Sequence, residues 1–183
     1  MPAWCGAPKF DLPRFLGWDS KQEEVDMSEI RKSVTIDATA AELFDIVDDP
    51  TNFPKYVPNV TGVEDVTSSK GRIGDTFRVI YKVLGVTFDE KFTTTEYEHA
   101  KRITSSFKGG MNGSFRWTFE PDDRQCKVSV DIRYDVAGGA LGKAVDAVML
   151  ERTNAKAIEG MLENLRRLVV KPVAPAHRQA TAK

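Results

Sequence analysis

The chain has 183 residues, with 26 Lys and Arg against 27 Asp and Glu and a formal net charge of −1 at pH 7. That length suits one domain with extensions. The charge balance gives no basic signal for nucleic acid, and no apolar run approaches the ~18 residues of a membrane span.

Residues 1–28 read as an N-terminal extension. Pro2, Gly6, Pro8, Pro13 and Gly17 break any regular pattern, yet Trp4, Phe10, Leu12, Phe15, Leu16 and Trp18 are too apolar for a solvated tail. Two readings stand side by side: a segment packed on the domain surface, or an arm that makes peripheral contact with a membrane or a protein partner. The start has neither a basic n-region nor a continuous apolar h-region, so no signal peptide is read and a cytoplasmic location is expected. Cys5 and Cys126 make no disulfide framework.

The folded domain is expected over 29–171. Ile30, Val34 and Ile36 alternate with Arg31, Ser33 and Thr35 as a first strand, with Lys32 spoiling the pattern. Thr39-Ala-Ala-Glu42 has the form of a capping box, and a helix follows with Leu43, Phe44, Ile46 and Val47. Asp49-Pro50 opens a second, short helix that ends before Pro58. From Val60 the period is two, which predicts strands near 60–67, 75–83, 86–97, 101–108, 111–120 and 125–137. The breaks between them are short, so neighbours should pair antiparallel as a meander. Gly109-Gly110-x-x-Gly113 joins two of these strands and opens no helix, so it reads as a hairpin rather than a phosphate loop.

One face of these strands is apolar and aromatic. It carries Phe77, Tyr81, Phe88, Phe92, Phe107, Phe115, Trp117 and Tyr134, interrupted by Glu90. The last element runs from about Leu141 to Val170. Gly138 and Gly139 free the backbone before it and Lys171-Pro172 halts it. Leu141, Val145, Val148, Ala155, Ile158, Leu162, Leu165 and Val169 form its apolar stripe, with Arg152 set among them. A helix this long needs a broad partner, so a twisted sheet should curl around it while the short helices plug one end. One helix cannot fill a curved sheet of this size, which leaves an apolar cavity between them. The Ala/Pro-rich stretch 172–183 reads as a disordered tail.

The opening SVTIDATAAELFDIVDDPTNFPKYVPNV, the turn GRIGDTFRV, the segment FTTTEYEHAKRITSSF, the strand GSFRWTFEP and the terminal helix after GGALGK resemble the START-like (SRPBCC) helix-grip superfamily, of the polyketide cyclase/dehydrase and coenzyme Q-binding type. The resemblance covers roughly 29–170. It implies an α+β, Bet v 1-like fold, a curved antiparallel sheet around a long C-terminal helix with two short helices between the first two strands. It also implies a cavity for lipids, quinones, hormones or polyketides, and it does not by itself imply a reaction.

The expected function is binding or transport of a hydrophobic small molecule. The alternative is a polyketide cyclase, aromatase or dehydratase acting in the same cavity. Ligand contacts are expected from the aromatic face, Glu90, Met149 and Arg152, with Arg152 anchoring an anionic or carbonyl group. No catalytic set is assigned; Glu90, as a buried acid or base, and Arg152 are the candidates. No His or Cys spacing suits a metal, and no cofactor is expected. A monomer, or at most a weak homodimer, is expected because no exposed hydrophobic stripe is evident.

Overall fold

In a computed structural model of the chain, which describes residues 27–136 and 147–169, one sheet holds seven strands. They are β1 (Ser28–Ile36), β2 (Val60–Glu64), β3 (Thr76–Val83), β4 (Val86–Glu98), β5 (Arg102–Lys108), β6 (Met111–Asp122) and β7 (Gln125–Val136). Every neighbouring pair is antiparallel, in the order β1-β7-β6-β5-β4-β3-β2. The strands from β2 onward form the expected meander, and β1 returns to pair with β7. Consecutive strands β1 and β2 therefore stand at opposite edges of the sheet. The chain between them crosses the whole sheet, and its helices cover the apolar face.

Two caps start that crossing. The Glu42 N–H donates to Thr39 Oγ1 (3.3 Å) and the Thr39 N–H donates to Glu42 Oε2 (3.0 Å), a reciprocal capping box at the head of α1 (Ala40–Asp48). Asp49 Oδ1 accepts the Thr51 N–H (2.9 Å) and opens a 3-10 turn over Pro50–Asn52, which runs into α2 (Phe53–Tyr56). Leu43, Phe44 and Val47 of α1 and Phe53 and Tyr56 of α2 are buried against the sheet. Phe44 meets Phe119 edge-on, and Tyr56 meets Trp117 edge-on.

The long helix α3 (Ala147–Val169) packs against β1, α1 and α2. Its buried side is carried by Leu150, Met161, Leu162 and Leu165, with Asn154, Ala157 and Ile158 half-buried between them. These positions follow one another at steps of three and four, as one helical face requires. The expected stripe is out of phase at its N-terminal end. Val148 and Met149 are 57% and 55% exposed, and Arg152 is exposed as well. Arg152 lies two residues from both Leu150 and Asn154, roughly 200° around the helix from each, so it faces away from the sheet. The apolar extension, the glycine pair before α3, a helix start at Leu141, the Pro172 stop and the C-terminal tail lie outside the described residues.

Candidate ligand cavity

Between α3, the α2–β2 connection and the concave face of the sheet lies a cavity of about 120 Å³. β3 contributes Val79, Tyr81 and Val83, β4 Phe92, β5 Phe107, β6 Met111 and Phe115, and β7 Ile132 and Tyr134. α3 contributes Asn154, Ala157, Ile158 and Met161, while Phe53, Val57, Pro58, Asn59 and Val60 close the remaining side. The lining is apolar except for two tyrosine hydroxyls and two asparagine amides. Its volume is well below the ~300–1,000 Å³ of pockets for drug-sized ligands. It is closer to the ~150 Å³ engineered cavity that takes up benzene, so it suits one aromatic ring.

A second chamber of about 30 Å³ lies beyond it, with room for a water or two. Phe53, Phe92 and Phe115 line both chambers and form the partition between them. Phe92 stacks on Phe77 with ring centroids 5.0 Å apart, and Phe53 meets both rings edge-on at 6.4 and 5.5 Å. The far chamber has a polar end of Asp48, Arg72, Asp75, Thr94, Tyr97 and Ser105. Arg72 donates to the carbonyl oxygen of Asp48 (2.6 Å) and to its Oδ1 (2.7 Å), lies over the Tyr97 ring, and so ties the β2–β3 loop to the end of α1.

Glu90 is 0% exposed. Lys91 of β4 pairs with Lys108, the last residue of β5, so β4 runs on past β5 and Glu90 falls beside the Gly109–Gly110 turn. Glu90 Oε1 accepts the Met111 N–H at 2.9 Å, and the Gly110 N–H lies close enough to add to it. A Cβ at Gly109 would overlap the Asp89 carbonyl oxygen and Glu90 Oε2, and a Cβ at Gly110 would come 2.9 Å from the Phe88 ring. The two glycines let the turn close over the carboxylate. Burial pushes the Glu90 carboxyl up to about 7, against the pull of the Met111 N–H.

Tyr81 stacks on Phe88 at 5.3 Å and turns its hydroxyl toward Glu90. No donor reaches Glu90 Oε2 within strict hydrogen-bond geometry among the described residues, so the Tyr81–Glu90 contact is a loose one. Burial, and then the Glu90 charge, raise the Tyr81 phenol well above its ordinary value. Tyr134 is 3% exposed, and its hydroxyl has no hydrogen-bond partner among the described residues. Opposite it stands Gly113, where a Cβ would strike the Arg133 carbonyl oxygen and crowd the Phe107 ring.

The structure thus brings Glu90, Tyr81 and Tyr134 together. Phe92, Phe107 and Phe115 face the cavity; Phe77 and Trp117 line the far chamber; Phe88 backs Tyr81. Arg152 and Met149, expected among the ligand contacts, line neither chamber. The partition residue Phe53, the polar Asn154 and the Arg72 tie were not singled out from the sequence. The signal available for Asn154 was its spacing of four from Leu150 and from Ile158. Among the described residues no group of three or more His, Cys, Asp or Glu side chains is arranged to hold a metal ion, and no helix is long and apolar enough to cross a membrane.

A family model described as polyketide cyclase/dehydrase and lipid transport matches residues 27–170. No curated protein matches the chain. Among solved structures, the Zhui aromatase/cyclase from Streptomyces sp. R1128 superposes with a TM-score of 0.68 at 17% identity, covering 82% of this chain and 98% of that one. A START superfamily protein from Mycobacterium smegmatis gives 0.65 at 16% identity, covering 77% and 96%. A protein of Thermus thermophilus gives 0.59 at 18%, covering 78% and 99%. At these identities the likeness shows the START-like fold.

Proposed function

Because the chain belongs to the polyketide cyclase/dehydrase and lipid transport family, we propose that it binds a hydrophobic small molecule in the cavity between α3 and the sheet. The observation that carries this reading is an apolar chamber bounded by Val79, Phe92, Phe107, Met111, Ile132 and Met161, with hydroxyls at one end only. Apolar burial would supply affinity at about 25 cal/mol per Å², and a few polar groups would supply orientation. Native mass spectrometry of the freshly purified protein, followed by organic extraction, tests it. The expected result is a co-purifying apolar molecule, or saturable uptake of benzene by a protein that emerges empty. A folded protein that takes up neither refutes the proposal.

A second reading, a cyclase or dehydratase, has one observation in its favour. Glu90 and Tyr81 lie side by side, and a carboxyl that titrates near 7 is suited to proton transfer. Glu90 is closed off by the glycine turn and does not line the cavity. In an enzyme, Tyr81 would therefore touch the substrate and Glu90 would position it. Turnover of poly-β-ketone analogues, abolished by Tyr81→Phe, would establish this reading; a folded protein without turnover leaves binding alone.

A further inference from the structure

We propose that the Tyr81 and Tyr134 hydroxyls form a two-point clamp that selects a single-ring ligand bearing a hydroxyl group, a phenol, over the corresponding hydrocarbon. This inference deepens the binding reading above and rests on it.

Three observations carry it. First, Tyr134 lines the cavity, is 3% exposed, and has a hydroxyl without a partner among the described residues. A buried hydroxyl in that state has given up its bonds to water without replacement, and a ligand acceptor would restore one. Second, Tyr81 lines the same cavity and faces both Glu90 and Tyr134. With its proton turned toward the Glu90 carboxylate, the Tyr81 oxygen presents its lone pairs to the cavity as an acceptor. Third, the two tyrosines stand on β3 and β7, with three strands between them in the sheet, and the curl of the sheet brings them to one end of a cavity sized for one ring.

Donor and acceptor roles then follow. Tyr134 donates and Tyr81 accepts. A ligand hydroxyl answers both, accepting from Tyr134 and donating to Tyr81. An ether or ketone oxygen answers only Tyr134, and a hydrocarbon answers neither. The apolar walls take the ring, and the Phe53, Phe92 and Phe115 partition limits its length.

Calorimetric titration of the full chain with phenol, anisole and benzene tests the clamp. A cavity with only apolar recognition prefers benzene, because phenol must give up hydrogen bonds to water. The clamp predicts the reverse, with phenol at least tenfold tighter than benzene and anisole between them. Tyr134→Phe should abolish that preference, and Tyr81→Phe should bring phenol down to anisole. Near-ultraviolet circular dichroism confirms that each variant is folded. Benzene binding as tightly as phenol in the wild type overturns the clamp while leaving the cavity reading intact, as does a phenol preference that survives Tyr134→Phe. Failure of all three probes to bind the folded wild type removes the cavity reading and the clamp with it.

Discussion

Glu90 Oε1 accepts the Met111 N–H at 2.9 Å, so a buried carboxylate takes up the first donor of β6 at the turn that leads into it. The burial of that carboxylate, which the Met111 N–H only partly offsets, sets a sign on the stability of the protein. Burial raises the Glu90 carboxyl from its ordinary 4.5 to about 7 in the folded state. Below the unfolded value both states are protonated and the stabilisation is fully present. Between the two values the folded state holds a proton that the unfolded chain has lost, so stability falls as pH rises and the loss is complete above about 7. A difference of this size corresponds to about 3 kcal/mol. Glu90→Gln keeps an acceptor for Met111 and cannot ionise. Urea unfolding at pH 4.5 and pH 8 should therefore show the variant gaining up to about 3 kcal/mol relative to wild type across that interval. Parallel pH profiles for the two proteins would show that Glu90 is not held near 7.

The same turn makes a glycine indispensable. A Cβ at Gly109 would meet the Asp89 carbonyl oxygen, which belongs to a paired strand and cannot swing away, and Glu90 Oε2 as well. Gly109→Ala should cost about 2–3 kcal/mol by overpacking. Gly71, in the β2–β3 loop, has nothing within 4 Å of its Cβ position, so Gly71→Ala should change stability by less than about 0.5 kcal/mol. Denaturant midpoints of the two variants check the contrast, and equal midpoints would contradict the crowding at Gly109.

Much of this molecule is legible in its sequence, and the reason is periodicity. Alternation such as Phe115, Trp117 and Phe119 against Ser114, Arg116 and Thr118 can be satisfied by one face only, and the structure has it so. Thr39 and Asp49 cap their helices from purely local chemistry. What stays illegible depends on chain segments far apart. Glu90 meets Met111 only because β4 outruns β5, a fact of strand length and register rather than of residue type. Phe53 enters the cavity because the β1–β2 crossing carries it over the sheet. The phase of α3 is ambiguous in the sequence because Val148 and Leu150 are both apolar and lie on opposite sides of the helix; the burial of Met161 and the half-burial of Asn154 decide for Leu150.

That phase has a direct consequence. Leu150 is 2% exposed, and Leu150→Ala should cost about 2–5 kcal/mol. Arg152, two residues on, is exposed, and Arg152→Ala should leave stability within about 0.5 kcal/mol and ligand uptake unchanged. Thermal denaturation and benzene titration of both variants are the measurements. A loss of uptake in a stable Arg152→Ala protein would place Arg152 in the site.

Phe92 decides how long a ligand the interior accepts. It lines both chambers, stacks on Phe77, and contacts Phe53, Phe107 and Phe115. Phe92→Ala removes the centre of the partition. The void it leaves should cost about 3–5 kcal/mol, while the near chamber of about 120 Å³ and the far one of about 30 Å³ become one space. The variant should then bind naphthalene, a two-ring probe, more tightly than wild type does, and should recover part of its lost stability when saturated with it. Phe92→Leu keeps most of the volume and should cost less, with a smaller gain in uptake. Naphthalene titration followed by thermal denaturation measures both effects. Equal naphthalene affinity in the wild type and in a folded Phe92→Ala protein would mean that Phe53 and Phe115 close the partition without Phe92.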